Sequence, residues 1–247
     1  MESSSISFPA SSSLTTETRV LLSVKDLSVK FGEREVIHGL SCELRRGETL
    51  AVIGSNGSGK TVFLRALLGL LSCSGTIRWD ESVTIGYVPQ RVSLDRELPL
   101  RARDLLDAKA RFLKYPRREI DHVAEVIGLS KALLDAPVSE LSGGQFQKVL
   151  IAFALLGHPS VLLFDEPTTS LDGFSERQLY ELLRKLKHLQ HTSLIWVTHD
   201  LGIVSAYASR VLYLNPTGSR FGMPQDLLGE DVIEQLRSEP HHALGGR

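Results

Sequence analysis

A glycine-rich segment, GSNGSGKT at residues 54–61, constrains the fold of this chain more than any other stretch. It follows the apolar run TLAVI, which is typical of a buried strand, and precedes VFLRALLGL, which is typical of a helix. The segment fits the pattern G-x-x-x-x-G-K-[ST], in which backbone N–H groups curl around an anion at a helix N-terminus. Lys60 adds a point charge, and Thr61 offers a hydroxyl to Mg²⁺. The segment therefore predicts a strand–loop–helix unit that binds a triphosphate, and the alternative is a flexible glycine loop.

Composition restricts the classes of protein that fit. A chain of 247 residues with 42% apolar and 23% charged residues can bury a core and form one or two domains. Lys and Arg number 28 against 29 Asp and Glu, so no global basic field attracts nucleic acid, and we expect no nucleic-acid partner.

Cys42 and Cys73 have neither metal-ligand spacing nor the density of a disulfide scaffold. We interpret both as ordinary buried thiols in a reducing compartment.

The sequence contains no stretch of about 18 apolar residues, which is the length that a membrane-spanning helix needs. Any link to a membrane must therefore go through a partner. The opening residues 1–20 are rich in Ser and Thr and lack the basic and apolar regions of a signal peptide, so we interpret them as a disordered tail.

Strand and helix signals alternate after this tail. Two alternating segments that flank a turn at residues 31–34 predict an antiparallel pair of strands. Further strands are predicted at VTIGYVP, VLLF (161–164) and SLIWVT (193–198), with helices over most of residues 100–135 and over SERQLYELLRKLKHL. This order indicates an α/β fold.

A second motif, LSGGQ at residues 141–145, begins an apolar-rich helix. Ser142 and Gln145 have the spacing of a capping box, which places the two glycines at an exposed helix N-terminus. Such an end binds anions well, but the same pattern also fits a helix start without a ligand.

The third motif is VLLFDEP, in which Asp165 and Glu166 follow a buried strand. The carboxyl end of a strand is where ligands bind in open α/β sheets. Because successive strand side chains point in opposite directions, we expect the two acids to have different functions. Asp165 can hold the water shell of a metal ion and Glu166 can polarise an attacking water, whereas the alternative is that the acids only cap the next turn.

Taken in chain order, GSNGSGKT, Gln90 in GYVPQ, LSGGQ, DEP, TSLD and VTHD resemble the motifs of the ATP-binding cassette (ABC) ATPases. The resemblance covers residues 21 to about 230. It implies a P-loop NTPase (RecA-like) core with a parallel sheet, an antiparallel β subdomain and an inserted helical subdomain at about residues 91–157. The ATPase domain would span residues 21–235 and be followed by a C-terminal tail at residues 236–247.

The resemblance also implies that two cassettes enclose two ATP molecules head to tail, with Mg²⁺ as cofactor. The LSGGQ motif of one chain then completes the phosphate site of the other. Because this chain has one copy of each motif, we expect it to work as a pair, as a homodimer.

Residue roles follow from the same resemblance. Phe31 would stack on adenine, although core packing is the alternative for an aromatic residue at a strand end. The residues that would wrap the phosphates are Gly54, Ser55, Asn56, Gly57, Ser58, Gly59, Lys60 and Thr61. Those that would meet the partner chain's γ-phosphate are Ser142, Gly143, Gly144 and Gln145.

The remaining assigned residues concern the metal, the dimer and hydrolysis. Gln90 would touch Mg²⁺ and sense the helical subdomain, and Asp172 would lie at the dimer seam. The catalytic residues would be Glu166 and His199, with His199 contacting the γ-phosphate and holding the glutamate. The metal ligands would be Thr61, Gln90 and Asp165. The sequence departs from the family at Lys148 and Phe153, where relatives usually have Arg, and this bears on packing around the signature helix.

Within the family, IGYVPQ, LDRELPL and the ending VLYLNPTGSRFGMPQDLL look like the ATPase subunits of zinc, manganese or iron importers, although RARDLL replaces the usual threonine and valine. This resemblance implies a peripheral protein on the cytoplasmic face of the inner membrane, an integral permease as partner, and an extracytoplasmic metal-binding protein as indirect partner. The alternative is a soluble ABC ATPase that acts in assembly, such as iron–sulfur cluster assembly, without a permease. A P-loop kinase does not explain LSGGQ.

Residues 101–118 contain seven Lys or Arg against two Asp. A solvated helical face is the usual explanation of such a run, and a face toward lipid headgroups or an acidic permease loop is the alternative.

Overall fold

A six-stranded sheet forms the centre of the protein in the computed structural model. The strand order is β5-β6-β7-β3-β8-β9, and the first five strands are parallel while β9 pairs antiparallel with β8. The strands are β3 (Thr49–Gly54), β5 (Ile85–Val88), β6 (Val161–Asp165), β7 (Ser193–Val197), β8 (Arg210–Leu214) and β9 (Arg220–Gly222). The structure describes residues 19–90, 92, 99–167, 179–184, 192–215, 218–229 and 232.

The central strands are buried along their whole length because both faces of the sheet are covered. All residues of β3, β6 and β7 are buried, which is typical of parallel strands between two layers of helices. The parallel direction brings the carboxyl ends of β5, β6, β7 and β3 to one edge, and the glycine-rich loop leaves β3 there. This edge is the place where the motifs of the sequence can meet.

A second, three-stranded sheet is antiparallel and has the order β2-β1-β4. Its strands are β1 (Val20–Phe31), β2 (Arg34–Arg45) and β4 (Ser74–Trp79). The turn between β1 and β2 lies at residues 32–33, where the sequence predicts it. The parallel core and the antiparallel sheet therefore confirm the predicted fold class.

The described helices are short, and three of them begin at a residue whose side chain accepts a hydrogen bond from the first turn. They are α1 (Lys60–Leu67), α2 (Ala102–Phe112), α3 (Arg118–Ile127), α4 (Lys131–Asp135), a 3₁₀ turn (Val138–Glu140), α5 (Gly143–Leu155), α6 (Leu201–Tyr207) and α7 (Pro224–Leu227). Residues 179–184 are also helical and belong to the helix predicted over SERQLYELLRKLKHL, of which the other residues lie outside the described ones. None of the described residues forms a helix that is long and apolar enough to cross a bilayer.

Helices α2, α3 and α5 pack together around their own apolar residues. Leu106, Ile120 and Val149 are fully buried there, and they belong to the same cluster as Phe164 of the central sheet. The helical break predicted at Tyr115 and Pro116 is confirmed, because α2 ends at Phe112 and α3 begins at Arg118. The helical insertion is thus joined to the core by a continuous hydrophobic contact.

The structure differs from the sequence predictions at Cys73 and in several short elements. Cys42 is buried, and burial raises the pKa of its thiol to about 12, but Cys73 is exposed, so the interpretation of Cys73 as a buried thiol is wrong. Cys73 lies in the connection that precedes β4, outside both sheets. The sequence predictions also omit β4, β8 and β9 and the short helices α6 and α7. The tails predicted at residues 1–20 and 236–247 lie almost wholly outside the described residues.

The basic run at residues 101–118 is partly neutralised within the helical region. Arg103 lies within 4 Å of Asp121 and Asp135, and Arg117 lies 3.5 Å from Asp107. Arg111 and Lys114 are exposed. Their possible contact with headgroups or a permease loop stays a prediction.

Candidate active site at the carboxyl edge of the sheet

The glycine-rich loop has a backbone that only glycine adopts without strain. Gly54 has φ +153°, and a Cβ atom there would lie 2.3 Å from the carbonyl oxygen of Leu214. Gly59, the N-cap of α1, has φ +101°, and a Cβ atom would lie 3.0 Å from a side-chain carbon of Val36. The two glycines thus let the loop turn tightly between β3 and α1. Asn56 and Gly57 are exposed at its tip.

Lys60 is the buried cation of this loop. Only 5% of its side chain is exposed, and Nζ donates hydrogen bonds of 2.9 Å to the carbonyl oxygens of Gly54 and Ser55. Nζ also lies 3.7 Å from Oε1 of Glu166. Ser58 is buried in the same loop, and its Oγ has no hydrogen-bond partner. A buried hydroxyl without a partner is costly, so the loop is suited to a polar ligand such as a phosphate.

Thr61 and Asp165 are joined by a hydrogen bond next to the glycine-rich loop. Thr61 Oγ1 donates to Asp165 Oδ1 at 3.0 Å, and Tyr87 donates to Oδ2 at 3.4 Å. Burial raises the pKa of Asp165, the hydrogen bond from Thr61 lowers it, and the charge of Glu166 raises it further. Burial and the charge of Asp165 raise the pKa of Tyr87 to about 12. The adjacent hydroxyl and carboxylate are the hard oxygen donors that Mg²⁺ prefers.

Tyr87 is a site residue that sequence reasoning missed. It lies in β5, three residues before Gln90, inside the segment GYVPQ that the sequence singles out only for its glutamine. The parallel pairing of β5 with β6 brings its hydroxyl to Asp165. The tertiary pairing of these two strands supplied this contact, and no local signal indicates it.

Three residues from three strand ends meet at one carboxylate. Gln90 Nε2 donates to Glu166 Oε2 at 2.7 Å, and His199 Nε2 lies 2.7 Å from Glu166 Oε1. Gln90 follows β5, Glu166 follows β6 and His199 follows β7. Each oxygen of the Glu166 carboxylate thus has a partner, at the edge where ligands bind in such sheets.

Glu166 faces this cluster for a reason other than the one expected from strand alternation. Strand β6 ends at Asp165, and Glu166 has φ +46°, an uncommon conformation for a residue other than glycine. The left-handed backbone at Glu166 therefore sets the direction of its side chain. The two acids nevertheless have different partners, since Asp165 contacts Thr61 and Glu166 contacts Gln90 and His199. That they have different functions stays a prediction.

The LSGGQ motif forms the capping box that its spacing predicts. Ser142 Oγ accepts a bond from the N–H of Gln145 at 3.3 Å, and Gln145 Oε1 accepts one from the N–H of Ser142 at 2.9 Å. Gly143 and Gly144 are the first two residues of α5. The box leaves this helix end exposed, as an anion site requires. Its role toward a second chain stays a prediction.

Two further predicted site residues remain. Phe31 ends β1 and is 50% exposed, so it is not a core residue, and its half-exposed ring is available for stacking. Asp172 lies outside the described residues.

Comparison with known proteins places these motifs in context. The model of the ABC transporter family matches residues 37–169. A zinc import ATP-binding protein, ZnuC, of Photorhabdus laumondii is 37% identical over 207 residues, which cover 83% of this chain and 79% of the relative. ZnuC of Yersinia enterocolitica is 36% identical over 235 residues and 90% of each chain. Among solved structures, cbiO1 from Clostridium perfringens, part of the ABC transporter complex cbiONQ, has a TM-score of 0.74 at 26% identity over 87% of this chain and 92% of that one.

Proposed function

Because the chain belongs to the ABC transporter family and is an ATPase, we propose that its ATP hydrolysis powers the import of a metal ion, in particular zinc, through a separate membrane permease. The observation that carries the hydrolytic part is the meeting of Gln90, Glu166 and His199 at one carboxylate. Support for the metal comes from relatives named as zinc import proteins, which match between 83% and 90% of the chain. These relatives do not favour an assembly ATPase that works without a permease.

The chain binds ATP, and the residues of the loop fit its phosphates. We assign the phosphate contacts to residues 54–61, since this loop leads into the N-terminus of α1, where anions bind, and Lys60 is fixed there by two carbonyl groups. Ser58 Oγ is buried and has no hydrogen-bond partner within the protein, and a phosphate oxygen would supply one. Phe31 is assigned to the adenine ring.

Thr61, Asp165 and Gln90 are the residues that would hold Mg²⁺. Thr61 and Asp165 are already within 3.0 Å of each other, and Gln90 donates to Glu166 through Nε2, so its amide oxygen is not used in that bond. Bound Mg²⁺ would neutralise phosphate charge. The burial that raises the pKa of Asp165 also indicates a carboxylate that gains from a nearby cation.

Glu166 is the residue that we assign to activation of the attacking water. Hydrogen bonds to Gln90 and His199 fix both of its oxygens, so the carboxylate has one orientation at the edge of the site. Lys60 Nζ lies 3.7 Å from Oε1 of Glu166, and the attraction between these two groups also holds the side chain at this edge. His199, with 39% of its side chain exposed, can reach a ligand on the solvent side.

We assign the exposed capping box of α5 to contact with the ATP that a second cassette binds. One chain presents one loop at residues 54–61 and one box at residues 142–145, so two copies arranged head to tail would complete two ATP sites. Asp172 is assigned to the seam between them. We place the pair at the cytoplasmic face of the inner membrane, bound to the permease through the helical subdomain at about residues 91–157. An extracytoplasmic metal-binding protein would deliver the ion to the permease.

Uptake by intact cells tests the transport proposal. Cells that lack the gene should take up radioactive zinc at the background rate, and the parental gene should restore uptake. A gene carrying Glu166→Gln is the matched control, since it supplies the same protein without its activating carboxylate and should not restore uptake. Unchanged uptake of zinc, manganese and iron in the deletion strain would overturn the proposal of metal import.

A further inference from the structure

Asp165 is a buried carboxylate whose two oxygens have different partners. Only 2% of the residue is exposed. Thr61 Oγ1 donates to Oδ1 at 3.0 Å, and the Tyr87 hydroxyl donates to Oδ2 at 3.4 Å. The two donors come from different elements, since Thr61 lies in α1 and Tyr87 in β5. Together they restrict the rotation of the carboxyl group from two sides.

The register of β5 and β6 explains why the phenol of Tyr87 reaches this carboxylate. Tyr87 lies opposite Leu163 in the parallel pair. Asp165 is the second residue after Leu163 in β6, so the two side chains point to the same face of the sheet. The ring of Tyr87 packs against the apolar cluster that contains Leu163, and its hydroxyl extends along the strand to Asp165. A slip of one residue would move the phenol to the opposite face.

The hydroxyl of Tyr87 serves a purpose that the packing of its ring does not require. Phenylalanine would fill the same apolar position, and a partly buried hydroxyl is costly unless it is hydrogen-bonded. Burial and the charge of Asp165 raise the pKa of Tyr87 to about 12, so the phenol keeps its proton at neutral pH. Toward Asp165 it is therefore a hydrogen-bond donor and not a base.

The orientation of Asp165 matters because of the cation assigned to it. Mg²⁺ requires near-ideal octahedral geometry, so a carboxylate that serves it must be held in one direction. Residues that hydrogen-bond to metal-binding groups supply this orientation, and their loss weakens metal affinity by about 10- to 100-fold. Among the described side chains, Tyr87 is the one that bonds to Asp165 from outside the phosphate loop and α1.

We propose that Tyr87 is a positioning residue for the Mg²⁺ that accompanies ATP. Its hydroxyl holds Oδ2 of Asp165, so that the carboxylate keeps one orientation toward a cation beside Thr61. Tyr87 acts through Asp165 and not by contact with the nucleotide. This role depends on the assignment of Thr61 and Asp165 to Mg²⁺ in the proposed function.

Nucleotide binding with and without Mg²⁺ tests this role on the full-length protein. Titration with a fluorescent, non-hydrolysable ATP analogue gives one dissociation constant in excess EDTA and another in saturating Mg²⁺. The ratio of the two constants measures the coupling between the cation and the nucleotide. We expect Tyr87→Phe to reduce the effect of Mg²⁺ on this ratio by about 10-fold and to leave the constant in EDTA unchanged.

Four further proteins make the measurement specific. Asp165→Asn should also lose the effect of Mg²⁺, because it changes the carboxylate itself. Tyr115→Phe is the matched control, since it removes a phenol hydroxyl between α2 and α3, and it should keep the parental ratio. 4-Aminophenylalanine at position 87 keeps a donor at the same place and should restore the ratio. 4-Methylphenylalanine there fills the volume of the hydroxyl without a donor, and it replaces Tyr87→Phe if urea unfolding shows that this variant is not folded.

A folded Tyr87→Phe protein with the parental ratio would overturn the role of Tyr87. Equal weakening of binding in EDTA and in Mg²⁺ leaves the ratio unchanged and would likewise overturn it, because a purely structural defect acts in both conditions. If Asp165→Asn also keeps the parental ratio, the assignment of Mg²⁺ to Asp165 fails with it. If Asp165→Asn alone loses the effect of Mg²⁺, only the role of Tyr87 fails.

Discussion

Glu166 has the most constrained carboxylate of the site, because it combines a left-handed backbone with hydrogen bonds at both oxygens. An uncommon φ at a functional residue persists only where its surroundings enforce it. Here Gln90 and His199 supply that constraint. The geometry gives one carboxylate a fixed direction at the edge of the sheet, which a water-activating group needs.

Glu166→Gln should separate binding from hydrolysis. The amide keeps the size of the side chain and loses its basicity, so we expect ATP binding to be retained and the turnover rate to fall by about 10²- to 10⁴-fold. Steady-state phosphate release and nucleotide titration measure the two quantities. Glu125→Gln, on the exposed side of α3, is the matched control and should hydrolyse ATP at the parental rate. Parental turnover by Glu166→Gln would refute the assignment.

Asp165 should destabilise the nucleotide-free fold at neutral pH. Burial raises its folded-state pKa above the ordinary 3.8, so in the window between these two values the folded chain binds more protons than the unfolded one. The stability of the fold therefore falls as pH rises through that window. Asp165→Asn should be more stable than the parent above the window and equal to it below 3.8, while losing Mg²⁺-dependent turnover.

Urea unfolding of both proteins without nucleotide or Mg²⁺, at several pH values, measures this difference. Asp226→Asn in α7 is the control, since Asp226 is exposed. An Asp165→Asn protein that is less stable than the parent at neutral pH would contradict the prediction.

At the scale of secondary-structure elements, α2 and α5 are joined by a contact that accounts for one departure from the family. Lys109 of α2 lies 4.6 Å from the centre of the Phe153 ring and donates a hydrogen bond of 2.5 Å to the carbonyl oxygen of Phe153. Phe153 is one of the two positions at which the sequence departs from the family resemblance. In this chain the cation comes from α2 and the aromatic face from α5, so the two helices remain linked.

Lys109→Met should weaken this link. Methionine keeps the apolar stem but loses the charge, so we expect the free energy of unfolding to fall by about 1–2 kcal/mol. Urea denaturation measures the change. Arg111→Met is the control on the same helix, because Arg111 is exposed, and it should change stability by less than about 0.5 kcal/mol. Equal effects of the two substitutions would contradict a specific role of Lys109.

At the scale of the whole molecule, the phosphate loop and the capping box of α5 are separate features of one chain. The loop is built by β3 and α1 and the box by the start of α5, in the helical insertion. Each lies at the N-terminus of a helix, which is a position where anions bind. The proposed head-to-tail pair would use both, since each nucleotide would then touch one loop and one box.

The capping box should be needed for that pairing. Glu166→Gln protein with ATP and Mg²⁺ should elute as a dimer in size-exclusion chromatography, and adding Ser142→Ala should shift it toward the monomer. Ser130→Ala is the matched control, because Ser130 caps α4 with the same kind of hydrogen bond to Leu133. Both substitutions cost about 1 kcal/mol of helix stability, so only a role at the interface distinguishes them. Equal dimerisation of both would contradict the head-to-tail arrangement.

The sequence predicts the local parts of this molecule well. The turn after Phe31, the loop at residues 54–61 and the capping box of Ser142 and Gln145 follow from backbone preferences and hydrogen bonds within a few residues. The strands VLLF and SLIWV follow from unbroken apolar runs. β8 carries the run VLYL, the same kind of signal, whereas β4 alternates polar and apolar residues too weakly to be predicted.

The sequence by itself thus determined the loop, the helix start and the chemistry of the candidate acids, because these depend on neighbours in the chain. The tertiary structure alone decided the order of the strands, the hydrogen bond of Tyr87 to Asp165, the meeting of Gln90, Glu166 and His199, and the contact of Lys109 with Phe153. These contacts join residues from 33 to 78 positions apart. Their formation depends on which strands and helices pack side by side, and that is set by burial over the whole core.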